Sequence, residues 1–385
     1  MGIVSCAGKE REGEKIKRDV GVEFLRIIAC VIVIGTHVKL QDLPALLPLH
    51  QIDVSKTIIG GFLGEGVTIF FLIMGFFFFN NSSFKRLLTK IFKTIIIPAL
   101  LYIFVAQILS RWVCGESNLV QSIIYPGFTL ENISGIFSWD ASKIHLGSHL
   151  WYLFTYVQIV FWFPVLHYFV REGAQADKVR MYLLIMSGIT VVLRDIQKIV
   201  SFDWGIITWY SVIPMSIFIV ILGYEIYQKR RILYSNKKMF LCGIVLYLTA
   251  HILLTFFQLV LYKRDYTIGH VFSWDSTFAI LGAVGLTISV LSIDFKSSRL
   301  RKIICYVGKN TFYIYLIHFL VIKKMDSLGF GKWLLLKSGN EAVGEVIYTF
   351  CYITVVFSIS LVISSMIEMV KFIIRNRKSK KLEVA

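Results

Sequence analysis

Long apolar runs alternate along the chain with short polar segments that are rich in lysine and arginine. The hydrocarbon core of a bilayer is about 30 Å thick, so each crossing helix needs about 20 mostly apolar residues. Ten runs meet or approach this length, near residues 21–38, 57–79, 91–113, 150–170, 181–194, 205–226, 239–262, 271–293, 306–322 and 346–374. This pattern predicts an all-α fold, a polytopic membrane bundle of about ten transmembrane helices.

The fifth and ninth runs are the weakest of the ten because both are short. Arg194 closes the run 181–194, and Gly308-Lys309-Asn310 lies at the start of the run 306–322. Pro164 interrupts the fourth run, since proline lacks a backbone donor and clashes with the preceding helical turn. A wrong count at either short run reverses the orientation of every helix that follows.

The distribution of lysine and arginine predicts the orientation independently of the count. Cytoplasmic loops carry the excess of these residues, and with the N-terminus inside, about two thirds of the 41 fall in the predicted cytoplasmic segments. We therefore expect both termini to be cytoplasmic. The predicted parts are an N-terminal arm at 1–20, a membrane domain at 21–374 and a basic tail at 375–385.

Composition excludes two other classes of protein. A hydrophobic fraction of 56% with a mean hydropathy of +0.69 is too apolar for a water-soluble domain of this size. The net charge of +17 is divided among the segments between apolar runs and does not line one face, which argues against nucleic acid as a partner. Six scattered cysteines without C-x-x-C spacing predict no metal site. No oligomeric state follows from these patterns.

The first apolar run contains three ionisable residues, Glu23, Arg26 and His37. On one helix, Arg26 and His37 are separated by about 16 Å and return to within about 20° of the same direction, and Glu23 shares that side. Ionisable groups in a membrane helix are costly and generally serve a function. The catalytic candidates are therefore His37, Arg26 and Glu23.

A second polar feature is the cationic stripe formed by Arg86, Lys90 and Lys93 at positions i, i+4 and i+7 of one helix. Two interpretations are open. The stripe binds the phosphates of a cytosolic ligand, or it anchors the helix against lipid headgroups at the inner surface.

Other polar residues lie within or beside apolar runs. His149 and Trp151 mark the predicted outer end of the fourth helix, and His318 lies in the middle or outer part of the ninth. We take these three as candidate substrate-binding residues. Glu65 and Asp275 are the remaining acids of interest in the apolar runs, and each is either functional or packed against a nearby tyrosine or tryptophan.

The longest predicted outer loop covers residues 114–149. A loop of this length either covers a site or connects two helices without further structure. The sequence has no G-x-S-x-G, H-E-x-x-H, Walker or dinucleotide fingerprint, so acid–base chemistry by histidine is the remaining scheme.

Five blocks of the sequence resemble, in order, those of the bacterial acyltransferase family 3 membrane proteins. They are GVEFLRIIACVIVIGTH, GVTIFFLIMGF, KIFKTIIIP, HLWYLFTYVQIVFWFP and NTFYIYLIH, which together span about residues 20–325. Three positions depart from the family pattern. Met74 replaces a usual serine, and Lys90 and Lys93 replace arginines, which removes the bidentate fork that binds phosphate.

The resemblance implies an O-acyltransferase of the bacterial cytoplasmic membrane. It would move an acyl group, most often acetyl, from cytoplasmic acyl-CoA to a hydroxyl of a cell-surface glycan or related acceptor, a form of polysaccharide modification. His37 and Arg26 would correspond to the family's essential histidine and arginine, with His37 as general base. Acetyl-CoA would be a co-substrate, and no cofactor would be bound permanently.

A transporter of a small solute or a glycan is the competing class. A stripe of charge inside a membrane bundle, with openings to both sides, suits alternating access as well as it suits catalysis. The sequence does not decide between them, and it does not identify the acceptor.

Overall fold

The computed structural model describes residues 18–38, 54–81, 83–200, 213–264, 272–338 and 342–384, and every regular element in these ranges is a helix. The α-helices are α1 (Val20–His37), α2 (Val54–Gly61), α3 (Gly66–Phe78), α4 (Phe84–Ile91), α5 (Ile97–Val113), α6 (Leu119–Ile124), α7 (Leu130–Phe137), α8 (Trp151–Phe161), α9 (Phe163–His167), α10 (Ala176–Val200), α11 (Met215–Gln228), α12 (Arg230–Leu233), α13 (Lys237–Arg264), α14 (Thr277–Leu291), α15 (Ser298–Ser327), α16 (Phe330–Ser338) and α17 (Ala342–Val384). Short 3₁₀ turns occur at Ala141–Lys143 and Ser148–Leu150, and π-helical turns at Phe92–Ile96 and Tyr168–Glu172.

Six stretches of the described chain are long and apolar enough to cross a membrane. They are Val20–His37, Ile58–Phe78, Phe84–Val113, Lys237–Arg264, Ser298–Ser327 and Val346–Ile374. The bent pair Ser148–Phe161 and Phe163–Glu172 adds a seventh if it counts as one span, and α11 and α14 are shorter apolar helices. The prediction of an all-helical, polytopic membrane protein is confirmed. The count of about ten stays a prediction.

The bend in the fourth predicted span lies where the sequence predicts an interruption. The two halves meet at 60°, and Pro164 occupies the first turn of the second half. Proline is tolerated there because the first N–H groups of a helix have no intrahelical partner.

The two weak runs lie inside longer helices. The run 181–194 is part of α10, which has 25 residues, and the run 306–322 is part of α15, which has 30. Arg194 does not end α10, because its guanidinium binds the Asp275 carboxylate at 2.7 Å. Of the run 205–226, residues 205–212 lie outside the described chain.

The first and last described helices share one end of the bundle. Gly308 of α15 lies against Glu23 near the start of α1, and Tyr306, two residues earlier, donates to Ser365 of α17 at 2.8 Å. We call this the Arg26 end and the opposite one the His37 end. Residues 1–17 of the predicted arm lie outside the described chain, and α17 continues through most of the predicted tail to Val384.

Glycines allow the closest helix contacts in the bundle. A Cβ added at Gly75 of α3 would collide with the backbone of Val220 in α11, and one at Gly223 of α11 would collide with Leu72. Small residues let membrane helices approach to backbone contact, where packing replaces the hydrophobic drive that lipid does not provide.

Candidate active site

The three ionisable residues of the first run lie on one continuous helix, as the sequence predicts. Glu23 occupies the first turn of α1, Arg26 follows one turn later, and His37 is the last residue. The eleven residues from Arg26 to His37 correspond to a rise of about 16 Å. Glu23 and Arg26 therefore lie far from His37, and α1 joins two separate polar regions.

Three histidines from distant parts of the sequence meet at the His37 end. The ring centroids of His37 and His318 are 5.4 Å apart, those of His149 and His318 are 5.1 Å apart, and those of His37 and His149 are 6.4 Å apart. His149 and His318 are buried, whereas His37 is partly exposed. We call these residues the histidine cluster. The structure thus brings together the candidate base and two of the three candidate substrate-binding residues.

Two tyrosine side chains hold the segment that carries His149. The Tyr102 hydroxyl of α5 donates to the Leu146 carbonyl at 2.9 Å, and the Tyr315 hydroxyl of α15 donates to the carbonyl of His149 itself. Both tyrosines are buried. His149 is therefore fixed from two helices, although it lies before the first turn of α8.

The loop 114–149 is folded against α5. The Asn132 side chain is buried, donates to the Gln107 amide oxygen at 3.0 Å and accepts from the His145 backbone N–H at 2.7 Å. Gln107 in turn donates to the His145 carbonyl at 2.7 Å. Within this loop, hydrogen bonds from Ser142 lower the pKa of the Asp140 carboxyl. The loop holds the segment before His149, which favours the interpretation as a cover over the interpretation as a loose connector.

The hydrogen bonds of the two buried histidines define their protonated nitrogens. A carbonyl can only accept, so Nε2 of His149 donates to Leu316 at 3.3 Å and Nδ1 of His318 donates to Tyr315 at 2.6 Å. The other nitrogens, His149 Nδ1 and His318 Nε2, are buried and have no partner among the described residues. In the neutral ring, each of these nitrogens is a bare acceptor.

His37 is the most accessible member of the histidine cluster. In the described part of the chain neither of its ring nitrogens has a hydrogen-bond partner, so both are free for a substrate. The Phe319 ring packs against His37 at 5.6 Å and stacks on His149 at 5.0 Å. Phe319 excludes water from one side of the cluster, and Lys323 lies 5.4 Å from the centroid of the same ring.

A separate ion-pair group lies at the Arg26 end. Glu23 is buried, and its Oε1 accepts from Arg26 at 2.8 Å and from Arg18 at 3.3 Å. Its Oε2 has no partner and faces Gly308, where an added Cβ would lie 2.5 Å away. Arg26 is therefore held in place by a buried carboxylate, with its own side chain 30% exposed.

The cationic stripe is exposed, as a ligand-binding surface must be. Arg86, Lys90 and Lys93 line an open groove of about 450 Å³ together with Ser83, Lys85 and Thr89. The α-helical path becomes π-helical at Phe92–Ile96, so Lys93 belongs to a widened turn. No described contact joins the stripe to Arg26, and the two cationic features are distinct.

The other candidates lie elsewhere. The Trp151 ring packs on Trp274 at 5.3 Å and makes no ring contact with a described histidine. Glu65 is fully buried between α2 and α3, 3.4 Å from His251. Each of the two acids thus has an ionisable neighbour, His251 for Glu65 and Arg194 for Asp275, which the sequence did not identify.

The described residues contain no group of three or more His, Cys, Asp or Glu side chains that could hold a metal ion. The histidine cluster is a group of three imidazoles packed by aromatic rings. Sequence patterns did not identify Tyr102, Tyr315, Phe319 or Lys323 as part of it. Tyr315, Phe319 and Lys323 lie within one or two helical turns of His318, which is the one signal that pointed to them.

Fold and site together define a multi-pass membrane protein with a histidine-based polar site inside a helical bundle. A family model described as an acyltransferase domain matches residues 19–365, nearly the whole chain. The chain therefore belongs to this family, which confirms the resemblance of the five sequence blocks, and the protein is a membrane acyltransferase. No curated protein and no solved structure matches it.

Proposed function

We propose that this protein is a membrane O-acyltransferase that moves an acyl group, acetyl in the first instance, from cytoplasmic acyl-CoA to a hydroxyl of a cell-surface glycan or related envelope acceptor. The observation that carries the proposal is the histidine cluster, in which His37 is partly exposed and makes no hydrogen bond to a described residue, while its two neighbours are buried and hydrogen-bonded.

The orientation follows from the placement of basic residues. The cationic stripe lies at the same end of the bundle as Arg26. The helix that carries the stripe starts at Phe84, which packs on Phe163, and Phe78 at the end of α3 packs on the same ring. Phe76, also in α3, stacks on Tyr227, which lies near Arg26. Basic residues favour the cytoplasmic side. In the proposed topology ten helices cross a bacterial cytoplasmic membrane, both termini are cytoplasmic, and the histidine cluster lies toward the outer surface.

His37 is the proposed general base. It removes the proton of the acceptor hydroxyl as that oxygen attacks the thioester carbonyl, and it returns the proton to the CoA thiolate when the carbon–sulfur bond breaks. Proton transfer of this kind contributes roughly 10²- to 10⁴-fold to the rate. The bare nitrogens of His149 and His318 stabilise the imidazolium, because they offer lone pairs and carry no charge.

Donor binding is proposed at the Arg26 end. Arg86, Lys90 and Lys93 hold the phosphates of acyl-CoA, and Arg26 contributes from its fixed position beside Glu23. The acyl arm then extends the roughly 16 Å along α1 toward His37. The lysines bind phosphate as point charges, without the paired donors of arginine. Trp151 stays a proposed acceptor residue on the strength of its sequence position beside the histidine cluster.

The test uses purified protein in lipid nanodiscs with radiolabelled acetyl-CoA and a panel of free and lipid-linked oligosaccharides. We expect His37→Ala to reduce label in the acceptor by at least about 10²-fold. His145→Ala is the matched control, because His145 is an exposed loop histidine that is anchored to Gln107 and Asn132 through its backbone and loses only an exposed 3.9 Å contact of its Nε2 with the Cys114 thiol. Equal transfer by wild type and His37→Ala would refute the mechanism.

The same assay separates an enzyme from a transporter. A transporter moves its solute without cleaving acetyl-CoA, so CoA thiol release is the deciding measurement. Family membership favours the enzyme. Release of CoA that depends on both His37 and a hydroxyl acceptor is the expected result.

A further inference from the structure

An apolar groove of about 540 Å³ runs along the outside of the bundle between α5, α15 and α17. On α5 it extends from Pro98 to Val113, a rise of about 22 Å. That length is about three quarters of the hydrocarbon core of a bilayer. Its walls include Leu101, Val105, Leu109, Ile317 and Ile363. A groove of this length and lining fits an extended hydrocarbon chain inside the membrane. We call it the α5 groove.

The α5 groove has a lysine at each end, but only one of the two is neutralised. At the Arg26 end, Lys371 lies 3.3 Å from the Glu368 carboxylate. At the His37 end, Lys324 donates to the Trp112 carbonyl at 2.9 Å and lies 4.4 Å from that ring centroid. Within the described chain Lys324 has no carboxylate partner. An ammonium has three donors, so Lys324 retains capacity for an anion.

The α5 groove and the histidine cluster share a wall. Tyr102 and Leu316 line the groove, and each also contacts His149: the Tyr102 ring is 5.4 Å from the His149 ring, and the Leu316 carbonyl accepts from it. Lys323, next to Lys324 on α15, packs on Phe319, which contacts His37. A molecule that leaves the groove at Lys324 therefore reaches His37 by passing Lys323.

We propose that the acceptor is carried on a single-chain lipid phosphate. Its hydrocarbon chain lies in the α5 groove, its phosphate binds Lys324, and its hydroxyl-bearing saccharide extends past Lys323 to His37. This inference rests on the proposed transfer reaction and deepens it by naming the class of acceptor. The charges fix the direction of the lipid, because Lys371 is already paired and Lys324 is not. One continuous groove fits one chain and excludes a two-chain phospholipid as the specific occupant.

The direct test is photo-crosslinking of a benzophenone-bearing polyisoprenyl phosphate to the protein in nanodiscs. We expect label in peptides of α5, α15 and α17 in the wild type and at least tenfold less label in Val105→Trp and Leu109→Trp, which fill the groove. Leu100→Trp is the matched control, because Leu100 is an exposed residue of α5 that does not line the groove. Equal labelling of all four proteins would overturn the proposal, as would equal labelling by a photoreactive two-chain phospholipid.

The phosphate contact has its own comparison. Polyisoprenyl phosphate should compete for labelling at least tenfold better than the corresponding polyisoprenol in the wild type, and Lys323→Gln/Lys324→Gln should remove this preference. Lys332→Gln, an exposed lysine of α16, is the control that keeps it. A preference that survives in the double variant would place the phosphate elsewhere and overturn the proposed orientation.

Failure of this inference is distinguishable from failure of the proposed function, because crosslinking requires no acyl transfer. Specific labelling without CoA release would refute the enzyme and leave the lipid site. Acetyl transfer to a lipid-free glycan that is equal in the wild type and Val105→Trp, with no groove labelling, would refute the lipid site and leave the enzyme.

Discussion

The ring centroids of His149 and His318 lie 5.1 Å apart, and each ring donates one N–H to a backbone carbonyl of the same turn of α15. The bare nitrogens that remain are opposite ones, Nδ1 in His149 and Nε2 in His318. The two rings therefore form a fixed pair of acceptors beside His37. Because their bare nitrogens differ, asparagine and glutamine replace different atoms in the two rings.

Replacement of His318 by the two amides separates its roles. Asparagine keeps a donor near the Nδ1 position and can bind the Tyr315 carbonyl, but it has no group at Nε2. Glutamine places a polar group at Nε2 and loses the donor. If the bare Nε2 supports the protonated His37, we expect kcat to fall at least about tenfold in His318→Asn and less in His318→Gln. Steady-state CoA release at saturating acetyl-CoA measures this.

The thermal unfolding of both His318 variants in detergent serves as the control. His318→Asn keeps the buried hydrogen bond and should unfold at a higher temperature than His318→Gln. A purely structural role predicts that activity follows this order, with His318→Asn the more active. The catalytic role predicts the opposite order, so one experiment decides between them.

Asn132 should matter for activity although it is far from His37 in the sequence. Replacement by alanine leaves the buried Gln107 amide oxygen without its partner, at a cost of about 1–3 kcal/mol, and removes the acceptor of the part-buried His145 N–H, which costs less. We expect Asn132→Ala to lower the unfolding temperature and to raise KM for the acceptor more than KM for acetyl-CoA, because the segment before His149 loses its anchor.

The matched control for Asn132 is Ser134→Ala. Ser134 is on the same short helix, and its hydroxyl donates to the Glu131 carbonyl at 2.9 Å in an exposed bond. Exposed hydrogen bonds contribute little, so this variant should behave like the wild type. Equal KM values for the acceptor in Asn132→Ala and the wild type would show that the loop does not position the site.

Much of the fold was predictable because lipid imposes a simple rule on the sequence. Every backbone polar group in the bilayer must be satisfied within the segment, so apolar runs predict helices. The rule also explains why two apolar runs are shorter than the helices that contain them. Both α10 and α15 continue past the apolar runs into polar residues, and some of these pair with other residues, as Arg194 does with Asp275.

The candidate site was predictable only in part. His37, His149 and His318 were identified separately, each as an ionisable residue in an apolar run or directly beside one. Their meeting depends on the packing of α1 and α15 and on a loop folded over α5, neither of which leaves a periodic signal. Trp151 shows the limit of proximity in sequence. It lies only two residues after His149 of the histidine cluster, yet its ring packs on Trp274.

Two glycines test how tightly the bundle is packed. Gly75 of α3 meets the backbone of α11, so a methyl group there must separate the helices. Gly188 of α10 has nothing within 4 Å of an added Cβ. We expect Gly75→Ala to lower the unfolding temperature strongly and Gly188→Ala to raise stability by about 0.5–1 kcal/mol, since alanine favours a helix over glycine.

Thermal unfolding in a single detergent measures both glycine variants. A backbone collision cannot be relieved by a side-chain rotation, so the loss in Gly75→Ala should persist at any detergent concentration. Tolerance of alanine at Gly75 with unchanged stability would mean that α3 and α11 are less closely packed than their backbones indicate. Gly188→Ala shows in the same experiment that the substitution itself is compatible with a helix.

Glu23 and Arg26 provide a test of structural against functional roles at the opposite end of α1. Arg26→Gln leaves the buried Glu23 carboxylate with Arg18 alone, at 3.3 Å, and should destabilise the protein by about 1–3 kcal/mol. In the double variant Glu23→Gln/Arg26→Gln the unpaired buried charge is absent, so we expect most of the stability to return. Thermal unfolding of the two single variants and the double variant gives the coupling energy.

Activity of the double variant then shows what Arg26 does for the donor. If Arg26 only neutralises Glu23, the restored protein should transfer acetyl groups at the rate of the wild type. If Arg26 also binds the phosphates of acyl-CoA, KM for acetyl-CoA should stay at least about tenfold higher, in line with the loss of one charge-assisted hydrogen bond. Stability that returns without activity therefore assigns Arg26 to the donor, and the return of both limits it to the ion pair.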